Sequence, residues 1–174
     1  MNILDNIIAQ KRVEVAQRKQ EIPTEKLEQR PLFTAPTKSL KSFLKDSNKT
    51  GIIAEYKRKS PSKGIINNWA TVEEVTAAYA QYGASGISVL TDEPFFGGRL
   101  EDLEKATFNE VPLLRKDFTI DEYQLVEAKA YGASVILLIA TCLTLQEVKH
   151  LTAAAKNLQL EVLLELHDEE ELKH

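Results

Sequence analysis

Glu55 and Lys57 stand two residues apart in an apolar run of strand length, Ile52-Ile53-Ala54-Glu55-Tyr56-Lys57. Side chains two apart on a strand project from one face, so this spacing sets a carboxylate beside an ammonium. Burying such groups is costly unless they are paired or used. Alone, the pair reads as readily as a structural ion pair as it does as acid–base machinery. Two further strand ends repeat the pattern: Pro112-Leu113-Leu114 runs into Arg115-Lys116-Asp117, and Val162-Leu163-Leu164 runs into Glu165. Ionisable side chains at the C-terminal ends of parallel strands are the material of α/β-barrel active sites, and alternate strands share an interior layer. Lys57, Lys116 and Glu165 fall on the first, third and fifth strand candidates. Such a group suits proton transfer, because an ammonium crowded by another cation gives up its proton nearer neutrality and a neighbouring carboxylate can accept one. The competing reading makes each a solvated charge at a strand end.

Holding these residues together requires parallel strands, and from Gly51 onward short apolar runs alternate with stretches of helical period, the signature of βα units. Strands are expected at 52–57, 86–90, 112–116, 134–139 and 160–166. Helices are expected at 71–82, 99–107, 121–131 and 144–158, with another starting at Asp168. A short repeat supports the scheme: Tyr82-Gly83-Ala84-Ser85 recurs as Tyr131-Gly132-Ala133-Ser134, 49 positions on, each time before an apolar run. Each glycine sits where a helix end needs a left-handed residue. Strand starts lie about 27 residues apart, the pace of a (β/α)8 barrel. Eight such units after a fifty-residue extension would take about 265 residues. The 174 present lead to the expectation of an incomplete barrel of about five parallel strands or an open five-stranded sheet.

The division expected is a helical extension over residues 1–50 and a partial barrel over 51–174. Ile3, Leu4, Ile7 and Ile8 form an apolar stripe at helical spacing that runs into the charged segment from Lys11 to Glu21. Shorter helical pieces follow at 24–29 and 39–44, separated by Pro31 and Pro36. The composition, 43% apolar and 28% charged, is that of an ordinary soluble domain, and no run approaches the roughly 18 apolar residues of a membrane span. The N-terminus fits no secretory signal, and a cytoplasmic protein is expected. One cysteine, Cys142, excludes an internal disulfide framework and leaves the three histidines without partners for a Cys/His zinc site. A net charge of −4 without a basic stripe argues against nucleic acid as a partner.

In order along the chain, Glu55-Tyr56-Lys57-Arg58-Lys59-Ser60-Pro61-Ser62, Leu90-Thr91-Asp92 with Phe95-Phe96-Gly97-Gly98, Leu114-Arg115-Lys116-Asp117-Phe118 and Leu164-Glu165-Leu166-His167-Asp168 resemble indole-3-glycerol phosphate synthase. The resemblance implies a (β/α)8 barrel whose N-terminal helix helps close the substrate site. It also implies a carboxy-lyase of tryptophan biosynthesis that converts 1-(2-carboxyphenylamino)-1-deoxyribulose 5-phosphate to indole-3-glycerol phosphate, with loss of carbon dioxide and water, without metal or organic cofactor. By resemblance, Lys116 is the general acid during ring closure and Glu165 the base that helps expel water. Lys57 holds the substrate carboxylate or acts as an acid in the dehydration, and Glu55 assists both lysines. Phe96 and Phe118 line the aryl pocket, and Ser60 lies near the phosphate. Arg58, with Lys59 and Lys63, fits either an anion-steering loop or a solvated charged one. His167 reads more readily as a packing or hydrogen-bonding residue than as a catalyst.

The family carries three further strands, with its phosphate loops, beyond the point matching His174. The expectation is therefore a chain inactive alone, whose outer strands one and five are covered by self-association or by a complementary barrel fragment. The alternative of another class is a non-catalytic open α/β module that binds a phosphorylated ligand or a partner protein. A phosphoribosylanthranilate isomerase fits less well, for want of a Cys/Asp pair at the corresponding strand ends.

Overall fold

The computed structural model describes residues 3–173. A long helix, α1 (Ile3–Glu21), is followed by two short ones, α2 (Thr24–Glu28) and α3 (Leu40–Lys45). Strand β1 (Ile53–Tyr56) leads into a small hairpin, β2 (Lys59–Ser60) with β3 (Gly64–Ile65), and then helix α4 (Val72–Gln81). Strand β4 (Gly86–Leu90), helices α5 (Glu93–Phe96) and α6 (Leu100–Lys105), strand β5 (Leu113–Lys116) and helix α7 (Glu122–Ala130) follow. Strand β6 (Val135–Ile139), helix α8 (Leu145–Asn157) and strand β7 (Glu161–Glu165) complete the series. The main sheet runs β1-β4-β5-β6-β7, every neighbouring pair parallel.

The helix boundaries follow from side-chain chemistry. Thr71 and Thr144 each open a helix with a reciprocal capping box, to Glu74 and Glu147, while Ser39, Asp92 and Asp121 each accept one backbone N–H. At the other end, Gly83 and Gly132 take φ of +84° and +86°, so the repeated Tyr-Gly-Ala-Ser string ends a helix in the left-handed conformation and turns the chain into a strand. At Gly132 a Cβ would also lie 2.5 Å from the Thr107 methyl.

Because β4 and β6 are covered on both faces, GISVL and VILLI are buried throughout and show no alternation. Register sorts their side chains. Glu55 pairs with Ser88, Ser88 with Leu114, and Leu114 with Val135, so these residues share one face, together with Lys116, Ile139 and Glu165 further along. That concave face carries a small apolar cluster of Leu40, Leu114, Val135, Leu137 and Ile139, and Leu40 of α3 packs at the end where the strands begin. The larger core lies on the opposite face, where Ile87, Val89, Leu113, Ile136 and Leu138 meet the outer helices. Parallel strands with helices outside and a separate apolar cluster inside form five units of a (β/α)8 barrel.

Within the described residues the expected strands and the four helices between them are present, with ends shifted by a residue or two. The helix expected from Asp168 is instead a 3-10 turn, Glu170–Lys173, opened by Asp168, whose carboxylate accepts the Glu171 N–H at 3.0 Å. The helix expected over 99–107 ends at Lys105 and tightens into a 3-10 turn, Ala106–Phe108. None of the described helices is long and apolar enough to cross a membrane.

The helices before β1 are tied to the sheet units by long-range contacts. Arg30 lies 4.0 Å from the centre of the Tyr131 ring and bonds Glu104 at 2.8 Å, and Lys129 donates to the Ala35 carbonyl at 2.9 Å. Helix α1 buries Ile7, Lys11 and Val15, a stripe at four-residue spacing whose middle member is a lysine.

Candidate active site

At the C-terminal ends of the strands the concave face turns from apolar to charged. Lys116 closes β5 and Glu165 closes β7, while Glu55 sits within β1 and Lys57 one residue past it. Their side chains form an alternating row. Lys57 Nζ donates to Glu55 Oε1 at 2.7 Å, and Lys116 Nζ lies 3.6 Å from Glu55 Oε2 and 3.4 Å from Glu165 Oε2. His167 Nε2 extends the row, 3.1 Å from Glu165 Oε1. The four inner side chains are each about 30% exposed, which leaves their charged ends within reach of a ligand and partly hydrated.

The row borders a cavity of about 370 Å³, the size of a small-molecule site. Its apolar walls are Leu4 from α1, Leu90, Leu137, Ile139 and two aromatic rings, Phe96 and Phe118. The rings stand 6.1 Å apart between centroids at 37°, a slot edged by π-faces. Cations and carboxylates on one side and aromatic walls on the other suit a ligand with an aryl group and an anionic substituent, on which protons can be given and taken.

Of the residues singled out in the sequence, Glu55, Lys57, Lys116, Glu165, Phe96 and Phe118 all line this cavity. Ser60 lies beside it, in an adjoining groove of about 920 Å³ that shares Glu55, Lys57 and Phe96, where its hydroxyl accepts the Lys63 N–H at 3.2 Å. The structure does not bring Arg58 to the cavity. One position past Lys57, it turns the other way, lies over the Tyr56 ring at 5.2 Å and forks onto Asp102, Nη2 to Oδ1 at 2.8 Å. Lys59 is likewise occupied, donating to the Pro94 carbonyl at 3.0 Å.

A second charged group lies behind the strand ends, and the sequence reading missed it. Arg115, which points away from the cavity, donates to Asp117 at 2.9 Å, to Glu127 at 3.2 Å and to the Gln124 carbonyl at 2.7 Å. Lys11 reaches Asp117 at 2.9 Å, Asp92 at 3.0 Å and Glu14 at 2.8 Å. Burial alone would raise the Asp117 carboxyl, but Arg115, Lys11 and the Thr91 hydroxyl hold it far below the usual carboxylate range. Burial would lower Lys11, yet Asp117, Asp92 and Glu14 keep its affinity for the proton above that of a free lysine. Two signals pointed here: a lysine in the apolar stripe of α1, and strand alternation, which sends residues 115 and 117 to the face opposite 116.

Comparisons with known proteins agree with this geometry. The family described as "Indole-3-glycerol phosphate synthase" matches residues 4–174. The protein of that name from Bacteroides thetaiotaomicron is 48% identical over 99% of this chain and 66% of its own length. Those of Salinibacter ruber and Aliarcobacter butzleri are 46% and 44% identical, over 99% and 98% of this chain and 64% and 66% of theirs. The chain thus spans just under two thirds of the length of these curated relatives. With a match running through every strand that carries the charged row and the aromatic slot, the chain belongs to the indole-3-glycerol phosphate synthase family.

Proposed function

We propose that this site closes the indole ring of indole-3-glycerol phosphate, taking 1-(2-carboxyphenylamino)-1-deoxyribulose 5-phosphate as substrate. The single observation that carries the reading is the row Lys57–Glu55–Lys116–Glu165 along one side of a cavity whose other walls include Phe96 and Phe118. The aryl ring enters the aromatic slot, and Lys57 faces its carboxylate. The ring carbon that bears the carboxylate bonds to the ribulose carbonyl carbon, while Lys116 Nζ delivers a proton to the carbonyl oxygen. Carbon dioxide then leaves, its bonding pair returning to the ring. The new hydroxyl departs as water, taking a proton from an ammonium, as Glu165 removes the proton that restores aromaticity. Glu55, bonded to Lys57 and close to Lys116, keeps both lysines aligned between steps. Positioned acids and bases of this kind contribute about 10²- to 10⁴-fold each.

The test is formation of indole-glycerol phosphate, followed by the indole absorbance. It is run on the chain alone and on the chain mixed with the C-terminal third of the Bacteroides relative. Product in either mixture, lost on Lys116→Ala, supports the proposal. Absence of product in both, from folded protein, overturns it and favours a non-catalytic α/β module.

A further inference from the structure

Lys11 lies outside the cavity, yet its ammonium touches the supports of two of the cavity's walls. With its side chain 1% exposed, it contacts Asp92 at 3.0 Å and Asp117 at 2.9 Å, themselves 1% and 0% exposed. Asp92 caps helix α5 by accepting the Phe95 N–H at 2.9 Å, and its carbonyl accepts the Gly98 N–H at 2.9 Å, which fixes the short segment that presents Phe96. Asp117 accepts the Phe118 N–H at 2.8 Å, so the same carboxylate that meets Lys11 sets the start of the loop presenting Phe118. Leu4, seven residues before Lys11 and two turns away on the same face of α1, reaches the cavity directly.

We infer that Lys11 is a positioning residue: one buried ammonium joins α1 to the Phe96 and Phe118 loops and thereby sets the width of the aryl slot. The inference rests on the function proposed above for its effect on substrate, and on the geometry alone for its effect on the loops. The two aspartates come from segments that follow different strands, β4 and β5, joined to each other at Thr91, whose hydroxyl donates to Asp117 at 2.7 Å, and to α1 through Lys11. The Asp117 carboxylate keeps Arg115 and Thr91 when Lys11 is removed, whereas the Asp92 carboxylate keeps only its cap. The Phe96 side of the slot is therefore the side that loosens more.

The experiment compares the full chain with Lys11→Met, Lys11→Arg and Asp92→Asn by amide hydrogen exchange and by steady-state kinetics in the mixture that gives product. Lys11→Met is expected to speed exchange at Phe95, Phe96 and, less, Phe118, and to raise KM about tenfold while kcat falls less than about threefold. Lys11→Arg, which keeps the charge, restores most of the KM. Asp92→Asn, which leaves Lys11 paired to Asp117 and Glu14, speeds exchange at residues 95–98 alone, and it decides the matter if Lys11→Met does not fold. Unchanged exchange in both variants overturns the inference. Faster exchange with an unchanged KM overturns it too, leaving Lys11 a structural residue only. If the unsubstituted chain makes no product in any mixture, the proposed function fails and the exchange data alone judge whether Lys11 holds the two loops.

Discussion

Arg115, Lys116 and Asp117 are consecutive, yet they belong to two different electrostatic environments. On the concave side, Lys116 stands about a third exposed, 3.4 and 3.6 Å from two carboxylates, beside an open cavity. On the convex side, Arg115 and Asp117 are sealed, with contacts of 2.7–3.2 Å that use most of their hydrogen-bonding capacity. A sealed network is rigid and has nothing to offer a ligand, whereas a partly exposed lysine with contacts of 3.4 and 3.6 Å can exchange one partner for a substrate. Strand alternation alone makes the division, and it lets one strand end serve both stability and chemistry.

The sharpest way to break that comparison is to remove its sealed half. Arg115→Met takes from Asp117 and Glu127 the buried guanidinium they share and leaves them only Lys11 and Arg18, so unfolding in denaturant should show a loss of about 3 kcal/mol; a variant as stable as the parent would erase the distinction. Next, Lys116→Ala and Glu165→Gln should each lower turnover by about 10²-fold or more, while the unfolding free energy moves by less than about 1 kcal/mol. Substrate binding by the Glu165→Gln protein should be nearly intact, and a stability loss as large as that of Arg115→Met would place the row in the structural class.

Titration offers a subtler contrast. Asp117 has its folded value depressed, so its contribution is present above the unfolded carboxylate value of about 4 and is lost as pH falls below it. Lys11 has its folded value raised, so its contribution is full below about 10 and is lost as pH climbs toward that raised value. Stability against pH should show a plateau between those limits, and Asp117→Asn should flatten the acid limb. The smallest effect is expected from Arg58→Gln. Because the guanidinium faces Asp102 and the Gly97 carbonyl, KM should stay unchanged, and a rise would mean that the loop swings inward when substrate binds.

The row itself was legible because its members are polar exceptions in apolar strands: Glu55, Lys116 and Glu165 stand out against Ile53, Leu114 and Leu163 on the same face. The strands were legible for the same reason, and the Tyr-Gly-Ala-Ser repeat marked two turns that the backbone indeed makes with positive φ. Arg58 misled because its neighbours are basic and no local pattern announces Asp102, 44 residues away. The sealed network was hidden by distance: Arg18 meets Glu127 across 109 positions, a pairing that no spacing rule encodes. The Lys59–Ile65 hairpin escaped because its strands are two residues each, too short to show a period.

The attachments of α1 also order events in time. Its partners Asp121 and Glu127 lie 102 and 109 positions downstream of Lys19 and Arg18. At about 5–20 residues per second, a ribosome delivers them roughly 5–20 s after the helix itself has emerged. For that interval Arg18 and Lys19 lack these partners, so the mouth of the site is finished only once the segment after β5 has been made, although one of its walls, Leu4, is translated well before it.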